Sequence, residues 1–144
     1  MELDELYSRS DLISLHAPAT DSTYHMINEE SIAKMKKGVF IINTSRGVLV
    51  NTADLIVGLK SGQVGAAGLD VYEGESDYFF KDNSDSPLPD AQLCTLLGLP
   101  NVVVTGHQAF LTTEAINNIA RTTVDNILAW QDGKKGTDHP NSIY

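Results

Sequence analysis

Four short apolar segments, each followed by polar residues, set the strongest limit on how this chain can fold. They lie at residues 11–16, 39–43, 63–70 and 101–105. Segments of this length that are apolar on both sides are typical of strands buried within a parallel sheet. We therefore expect four parallel strands in a sheet that is covered on both faces.

Helix-like segments separate these strands. Residues 28–35 begin with an asparagine that can cap a helix, carry two glutamates in the first turn and precede two lysines and a glycine. Residues 51–60 place apolar side chains at helical spacing, and residues 91–97 form a shorter helical segment. The alternation of strand and helix predicts an α/β fold, with right-handed crossovers onto one parallel sheet.

The last part of the chain has a different pattern. Between residues 111 and 132 the apolar side chains recur every three to four positions, which predicts one long amphipathic helix. Thr112 or Thr113 can cap its start, and Gly133 can end it. Residues 133–144 are polar, and we expect them to form a loosely held tail.

Composition excludes several classes of function. The 144 residues include ten Lys and Arg against nineteen Asp and Glu, a net charge of −9. Such a surface repels phosphate backbones, so we expect no nucleic-acid partner. No apolar segment approaches the roughly 20 residues that span a bilayer, so we expect no membrane partner. The single cysteine, Cys94, cannot form an internal disulfide or a zinc site. We expect it to be buried and inert, in a cytoplasmic protein without a metal.

Polar clusters follow all four predicted strands. His16 follows the first strand, Arg46 the second, the acidic stretch 70–75 the third and His107 the fourth. Ligands of open parallel sheets bind beyond the carboxyl ends of the strands, so we expect these clusters to converge on one edge. A carboxylate beside a histidine favours the imidazolium, and an arginine matches a substrate carboxylate bidentately. The sequence therefore predicts a site that binds a small anion and moves a proton.

Taken singly, these residues also have plainer interpretations. The structural alternatives are a solvated cation at Arg46, loop charges at Glu73 and Glu75, and a packed imidazole at His107. His25 and His139 have no convincing partners in the sequence, so we expect structural roles for both. Chemistry is favoured over packing because the polar clusters follow four successive strands.

Three motifs resemble those of the D-isomer-specific 2-hydroxyacid dehydrogenases. They are Thr44-Ser45-Arg46-Gly47, Leu69-Asp70-Val71-Tyr72-Glu73-Gly74-Glu75 and Gly106-His107-Gln108-Ala109-Phe110. The similarity extends from about Leu6 to Trp130 and, within the family, is greatest to the D-lactate dehydrogenases. The resemblance implies that residues 1–110 are the C-terminal part of a Rossmann-type dinucleotide-binding domain. It also implies NAD as cofactor and a 2-keto or 2-hydroxy acid, such as pyruvate or lactate, as substrate.

The resemblance also implies roles for single residues. The catalytic residues would be Arg46 on the substrate carboxylate, His107 as acid and base, and Glu75 as the partner of His107. The family motif places that carboxylate five positions after Asp70, which selects Glu75 rather than Glu73. The cofactor-binding residues would be His16, Pro18, Thr44, Arg46, Asp70 and His107. The substrate pocket would include Arg46, His107 and Phe110.

One feature of the family is absent from this sequence. None of the eleven glycines lies in a Gly-x-Gly-x-x-Gly turn, which binds the pyrophosphate of the cofactor. We therefore expect the chain to be the C-terminal portion of such an enzyme, inactive alone and homo-oligomeric, with a dimer as the simplest form. The alternatives are a non-catalytic NAD-sensing or assembly module of the same fold, and a dehydrogenase for another D-2-hydroxy acid.

Overall fold

The computed structural model describes residues 1–79, 82, 85, 87–134 and 141. These residues fall into two compact units, Met1–Gln108 and Ala109–Tyr144. The first unit contains the sheet, and the second contains the long helix. The domain boundaries expected from the sequence, at residues 110 and 132, stay predictions.

The first unit is built on a four-stranded sheet. Its strands are β1 (Leu12–Leu15), β2 (Val39–Asn43), β3 (Val64–Leu69) and β4 (Val102–Val104). They lie in the order β1-β2-β3-β4, and all three neighbouring pairs are parallel. Each strand is joined to the next by a crossover that contains at least one helix. The predicted α/β fold with a parallel sheet is therefore confirmed.

Six α-helices and one short 3-10 helix occur in the described part of the chain. The α-helices are α1 (Leu3–Arg9), α2 (Glu29–Lys34), α3 (Thr52–Ser61), α4 (Glu75–Tyr78), α5 (Ala91–Gly98) and α6 (Thr113–Gln131). The 3-10 helix covers Gly47–Leu49 and was not expected from the sequence, nor were α1 and α4. No side chain caps α1, which buries only Tyr7, and α4 has four residues, so neither carries a periodic apolar pattern.

Short polar side chains explain where the crossover helices begin. The Asn28 side chain accepts a hydrogen bond from the Ser31 N–H at 3.0 Å, and Ser31 Oγ accepts one from the Asn28 N–H at 2.8 Å. Asn51 accepts from the Asp54 N–H at 3.1 Å, and Asp90 accepts from two N–H groups of α5. Each cap satisfies donors that a helix end otherwise leaves unpaired, which fixes the first residue of α2, α3 and α5.

Within Met1–Gln108, the described residues cover one face of the sheet only, which corrects the expectation of burial on both faces. Ile13 and Leu15 of β1 are buried, whereas Leu12 of the same strand is 54% exposed. Phe40 of β2 and Val103 of β4 are likewise exposed. Strand order follows chain order, so right-handed crossovers place all their helices on the same side of the sheet. The opposite face of this unit therefore carries exposed apolar side chains.

Cys94 lies on the exposed side of α5, so its expected burial is wrong. The helix turns Leu93 and Leu96 into the core, and this places Cys94, between them in sequence, toward solvent.

The second unit contains α6, which Thr112 caps by accepting from the Ala115 N–H at 3.2 Å. Most of the tail expected at residues 133–144 lies outside the described residues.

Candidate active site

The predicted site residues lie on loops at one edge of the sheet. Parallel strands run in the same direction, so the residues that follow β1, β2, β3 and β4 all leave the sheet at its carboxyl edge. His16, Arg46, Asp70 and Thr105 are close to these four strand ends. The topology thus places at one edge polar clusters that are spread over nearly a hundred residues of the sequence.

His107 and Glu75 are joined by a hydrogen bond at this edge. His107 Nδ1 lies 2.9 Å from Glu75 Oε1, and the two side chains are 28% and 18% exposed. A carboxylate only accepts hydrogen bonds, so Nδ1 carries the proton of this contact. The structure brings together two of the three predicted catalytic residues, and Glu75, not Glu73, is the carboxylate that contacts His107.

A strained turn presents His107 to the edge. Its φ of 55° is in the left-handed region, which is uncommon for a residue other than glycine. The His107 N–H donates to the Asp70 carbonyl at 2.7 Å, and the Gln108 N–H donates to Asp70 Oδ1 at 2.8 Å. The Thr105 hydroxyl donates to the same carboxylate oxygen. Asp70 is buried, with 4% exposure, and holds this turn in place. Its expected contact with the cofactor stays a prediction.

Glu75 is also held in a defined orientation. Its Oε2 accepts from the Tyr72 N–H at 3.0 Å, so each carboxylate oxygen has its own donor. The Tyr72 hydroxyl donates to Asp90 Oδ2 at 2.7 Å and ties this turn to the start of α5. Burial, the hydrogen bond and the Asp90 charge raise the pKa of Tyr72. Burial alone would raise the pKa of Asp90, but hydrogen bonds from Leu93, Tyr72 and Gln92 lower it.

Arg46 follows β2 in a turn that Asn43 stabilises. The buried Asn43 side chain donates to the Arg46 carbonyl at 2.9 Å and accepts from the Ser45 N–H at 3.1 Å. Arg46 is exposed, and its Nη1 donates to the Ser45 carbonyl at 2.7 Å. The end of β2 is two strands from the end of β4, roughly 10 Å across the sheet. Joint action of Arg46 and His107 on one substrate stays a prediction.

The loops after β1 and β2 are joined to each other. The Ser45 hydroxyl donates to the Ala17 carbonyl at 2.7 Å, across 28 residues of sequence. His16, Pro18 and Thr44 are exposed on these loops. This contact holds the loops after β1 and β2 together at the carboxyl edge.

His25 has a partner, so the expectation that it has none is wrong. Its Nε2 lies 2.6 Å from Glu73 Oε1, although the two residues are 48 positions apart. No local pattern in the sequence signals a contact between residues so distant along the chain. His139 lies outside the described residues. Phe110, 53% exposed, belongs to the second unit, and its role in a substrate pocket stays a prediction.

Among the residues that the structure describes, no group of three or more His, Cys, Asp or Glu side chains is placed to hold a metal ion. No helix among the same residues is long and apolar enough to cross a membrane.

Comparison with known proteins identifies the family. The family model described as "D-isomer specific 2-hydroxyacid dehydrogenase, NAD binding domain" matches residues 1–109. The chain belongs to this family. The resemblance drawn from the three sequence motifs is therefore confirmed, and so are the Rossmann-type fold and NAD as the cofactor of this domain.

Relatives across the 2-hydroxyacid dehydrogenase family match nearly the whole chain. A "2-hydroxyacid dehydrogenase homolog" of Haemophilus influenzae is 52% identical over 93% of this chain and 40% of its own length. The "D-lactate dehydrogenase" of Escherichia coli is 44% identical over 99% of this chain and 43% of its own. The crystal structure of a D-lactate dehydrogenase from Treponema pallidum superposes with a TM-score of 0.89, at 39% identity. That superposition covers 93% of this chain and 40% of the other. The chain spans about two fifths of these relatives and corresponds to their C-terminal part.

Polar groups at the carboxyl edge are of kinds that suit part of NAD. His16, Thr44 and Arg46 expose polar side chains on loops that the contact between Ser45 and Ala17 joins. Hydroxyl, imidazole and guanidinium groups suit the ribose and carboxamide oxygens of a dinucleotide. The sequence has no glycine-rich turn for the pyrophosphate, so these residues would line only the remainder of the cofactor.

Proposed function

We propose that this chain is the C-terminal portion of a D-lactate dehydrogenase, which reduces pyruvate with NADH to D-lactate and NAD. The observation that carries the proposal is the 2.9 Å pair of His107 and Glu75 at the sheet edge that also carries Arg46. Relatives in Escherichia coli and Treponema pallidum that bear the name D-lactate dehydrogenase support this choice of substrate.

Each of the three residues has a distinct task in the reaction. Bound NADH supplies the hydride. Arg46 binds the substrate carboxylate through its planar fork and polarises the carbonyl. His107 gives the proton on Nε2 to the carbonyl oxygen as negative charge develops there. Glu75 stabilises the imidazolium before the transfer and holds the ring so that Nε2 faces the substrate.

Other predicted residues complete this proposal. His16, Pro18, Thr44 and Asp70 line the cofactor together with Arg46 and His107, and Phe110 shapes the substrate pocket. Without the glycine-rich turn the 144-residue chain alone is inactive, because pyrophosphate binding needs N–H groups at a helix N-terminus.

The proposed protein is a homodimer in the cytoplasm. Exposed apolar side chains on the sheet, at Leu12, Phe40 and Val103, support self-association. The single cysteine supports a reducing compartment. The oligomeric state is measured by analytical ultracentrifugation of the purified chain, for which the proposal expects a dimer.

A second candidate is a non-catalytic NAD-sensing or assembly module, which the missing glycine-rich turn favours. A dehydrogenase for another D-2-hydroxy acid would keep the same three residues and differ in its pocket. Activity in a complete enzyme separates these alternatives from the main proposal.

The test is a chimera in which residues 1–144 replace the matching segment of the Escherichia coli D-lactate dehydrogenase, to which the chain is 44% identical. We expect NADH oxidation with pyruvate and a product that is D-lactate by chiral chromatography. A folded chimera that binds NADH without turnover would favour the non-catalytic module. Preference for a bulkier 2-oxo acid would favour the other dehydrogenase.

A further inference from the structure

A second pair of histidine and glutamate lies next to the proposed catalytic pair. Glu73 Oε1 is 2.6 Å from His25 Nε2, and Glu73 Oε2 accepts from the Thr52 N–H at 2.9 Å and the Thr52 hydroxyl at 2.7 Å. The side chains of Glu73 and His25 are 27% and 23% exposed. One carboxylate therefore connects the loop after β3 to the first turn of α3 and to the loop after β1.

The structure holds the His25 ring in a fixed place. Its backbone is left-handed, with a φ of 49°, and its N–H donates to the Val48 carbonyl at 2.9 Å. The Tyr24 ring stacks on the imidazole at a centroid distance of 3.9 Å, and Asn51 Nδ2 lies 3.4 Å from Nδ1. The imidazole is thus oriented toward Glu73 by contacts that do not involve Glu73 itself.

Glu73 lies in the middle of the turn at residues 72–75, which orients the Glu75 side chain toward His107. The Glu75 N–H donates to the Tyr72 carbonyl at 3.1 Å, and Glu75 Oε2 accepts from the Tyr72 N–H at 3.0 Å. Gly47 approaches this turn so closely that a Cβ there would lie 2.5 Å from the Glu73 nitrogen. The backbone of Gly47 therefore packs against this turn, and the Glu73 carboxylate anchors the turn to Thr52 and His25.

Glu73 is ionised in this setting. Burial alone would raise its pKa, but the hydrogen bonds from Thr52 and His25 outweigh burial and hold the pKa below its ordinary value. An anion at the N-terminus of the ten-residue helix α3 is also favoured by the helix dipole.

We propose that Glu73 is a positioning residue, which binds Thr52 and His25 and thereby holds the turn so that Glu75 meets His107 Nδ1. The proposal rests on the proposed function, since orienting His107 matters only if that residue transfers the proton. This role accounts for Glu73, the glutamate of the motif at residues 69–75 that does not contact His107.

The test measures the tautomer of His107 in the 144-residue chain by ¹⁵N NMR of the histidine rings. At a pH where the ring is neutral, the wild-type chain should carry the His107 proton on Nδ1, because that nitrogen donates to Glu75. In Glu73→Ala the turn loses its anchor, and we expect His107 to show a mixture of the two tautomers. An unchanged His107 spectrum in Glu73→Ala overturns the proposal.

Two variants separate positioning from general damage. Glu73→Gln can still accept from Thr52 and, with His25 in its other tautomer, donate to His25, so it should keep the wild-type His107 tautomer. Asp54→Ala is the matched control, because Asp54 also lies in the first turn of α3 but accepts from the Glu29 N–H at 3.0 Å, toward α2. A His107 spectrum that changes equally in Asp54→Ala and Glu73→Ala contradicts a specific role of Glu73.

If Glu73→Ala does not fold, two milder variants take its place. Thr52→Val removes the hydroxyl donor and keeps the backbone N–H. His25→Asn removes the imidazole with a residue that tolerates the left-handed backbone. We expect each variant to shift His107 toward a mixture of tautomers, but less than Glu73→Ala does. If neither variant changes the His107 spectrum, the proposal is overturned. Because this readout needs no turnover, its failure and the failure of the proposed dehydrogenase activity are observed separately.

Discussion

At the scale of single residues, Glu75 fixes the orientation of the His107 ring. Its Oε1 accepts a hydrogen bond from His107 Nδ1 at 2.9 Å. In the chimera, Glu75→Gln replaces this carboxylate with a neutral acceptor that holds the ring more weakly. A hydrogen bond to a charged group contributes about 1.5–3 kcal/mol, so we expect kcat/KM for pyruvate to fall by at least about 10-fold in steady-state kinetics.

The control for this prediction is Asp54→Asn, which removes a negative charge from α3 without touching His107. Its kcat/KM for pyruvate should match that of the unmodified chimera. A kcat/KM unchanged by Glu75→Gln would mean that the contact between Glu75 and His107 does not contribute to proton transfer.

Arg46 is expected to contribute more to pyruvate binding than to NADH binding. Lysine keeps the positive charge but cannot form two parallel hydrogen bonds to a carboxylate. A hydrogen bond to a charged group contributes about 1.5–3 kcal/mol. Arg46→Lys should therefore raise the KM for pyruvate about 10- to 100-fold, with a smaller change in the KM for NADH. Arg9→Lys, at an exposed pair with Glu5, serves as the control. An unaltered KM for pyruvate in Arg46→Lys would exclude this role.

Residue contacts were predictable only where a motif carried them. The pair of His107 and Glu75 follows from two strand-end motifs on neighbouring strands, whose parallel pairing brings the loops together. The contact of His25 with Glu73 depends on how a long loop packs against α3, and no spacing in the sequence encodes that. The exposed position of Cys94 depends on which side of α5 meets the core, which one short helix leaves ambiguous.

At the scale of elements, the turn after β2 and the turn after β3 pack backbone against backbone at Gly47. A Cβ at Gly47 would lie 2.2 Å from the Tyr72 carbonyl carbon, which no side-chain adjustment can relieve. Overpacking of this kind costs about 1–3 kcal/mol. Gly47→Ala should therefore lower the free energy of unfolding by about that amount, measured by urea denaturation of the chain.

Gly98→Ala provides the comparison for Gly47→Ala. Gly98 is the last residue of α5, and a Cβ there has nothing within 4 Å. We expect this variant to be as stable as the wild type or slightly more stable. Equal stability of both glycine variants would show that the two turns can separate without cost.

Helix starts and strands were predictable at this scale because their causes are local. Asn28 and Asn51 cap the helices that they precede, and the apolar segments form the strands they indicated. Burial of the sheet was not predictable from the same segments. Leu12 and Phe40 are apolar, but their exposure depends on which layers pack on the sheet, and strand composition does not determine this.

At the scale of the whole molecule, the chain alone should not reduce pyruvate. It supplies the proposed proton donor and carboxylate-binding arginine but no glycine-rich turn for the pyrophosphate. Excluding water and holding the reactants together also need a second wall to the site. We expect no NADH oxidation above background when the purified 144-residue chain is mixed with NADH and pyruvate. Robust turnover would show that the rest of the enzyme is dispensable.

The most direct test of the central claim is the effect of His107→Gln on the chimera, with turnover and NADH affinity measured on the same preparation. General acid–base groups contribute about 10²–10⁴-fold to rate. We therefore predict that kcat for pyruvate falls by about that factor. The Kd for NADH, measured by fluorescence titration, should remain within about twofold of the value for the unmodified chimera. That is well below the tenfold change that about 1.4 kcal/mol would produce. Near-normal turnover in His107→Gln would contradict the claim that His107 is the proton donor.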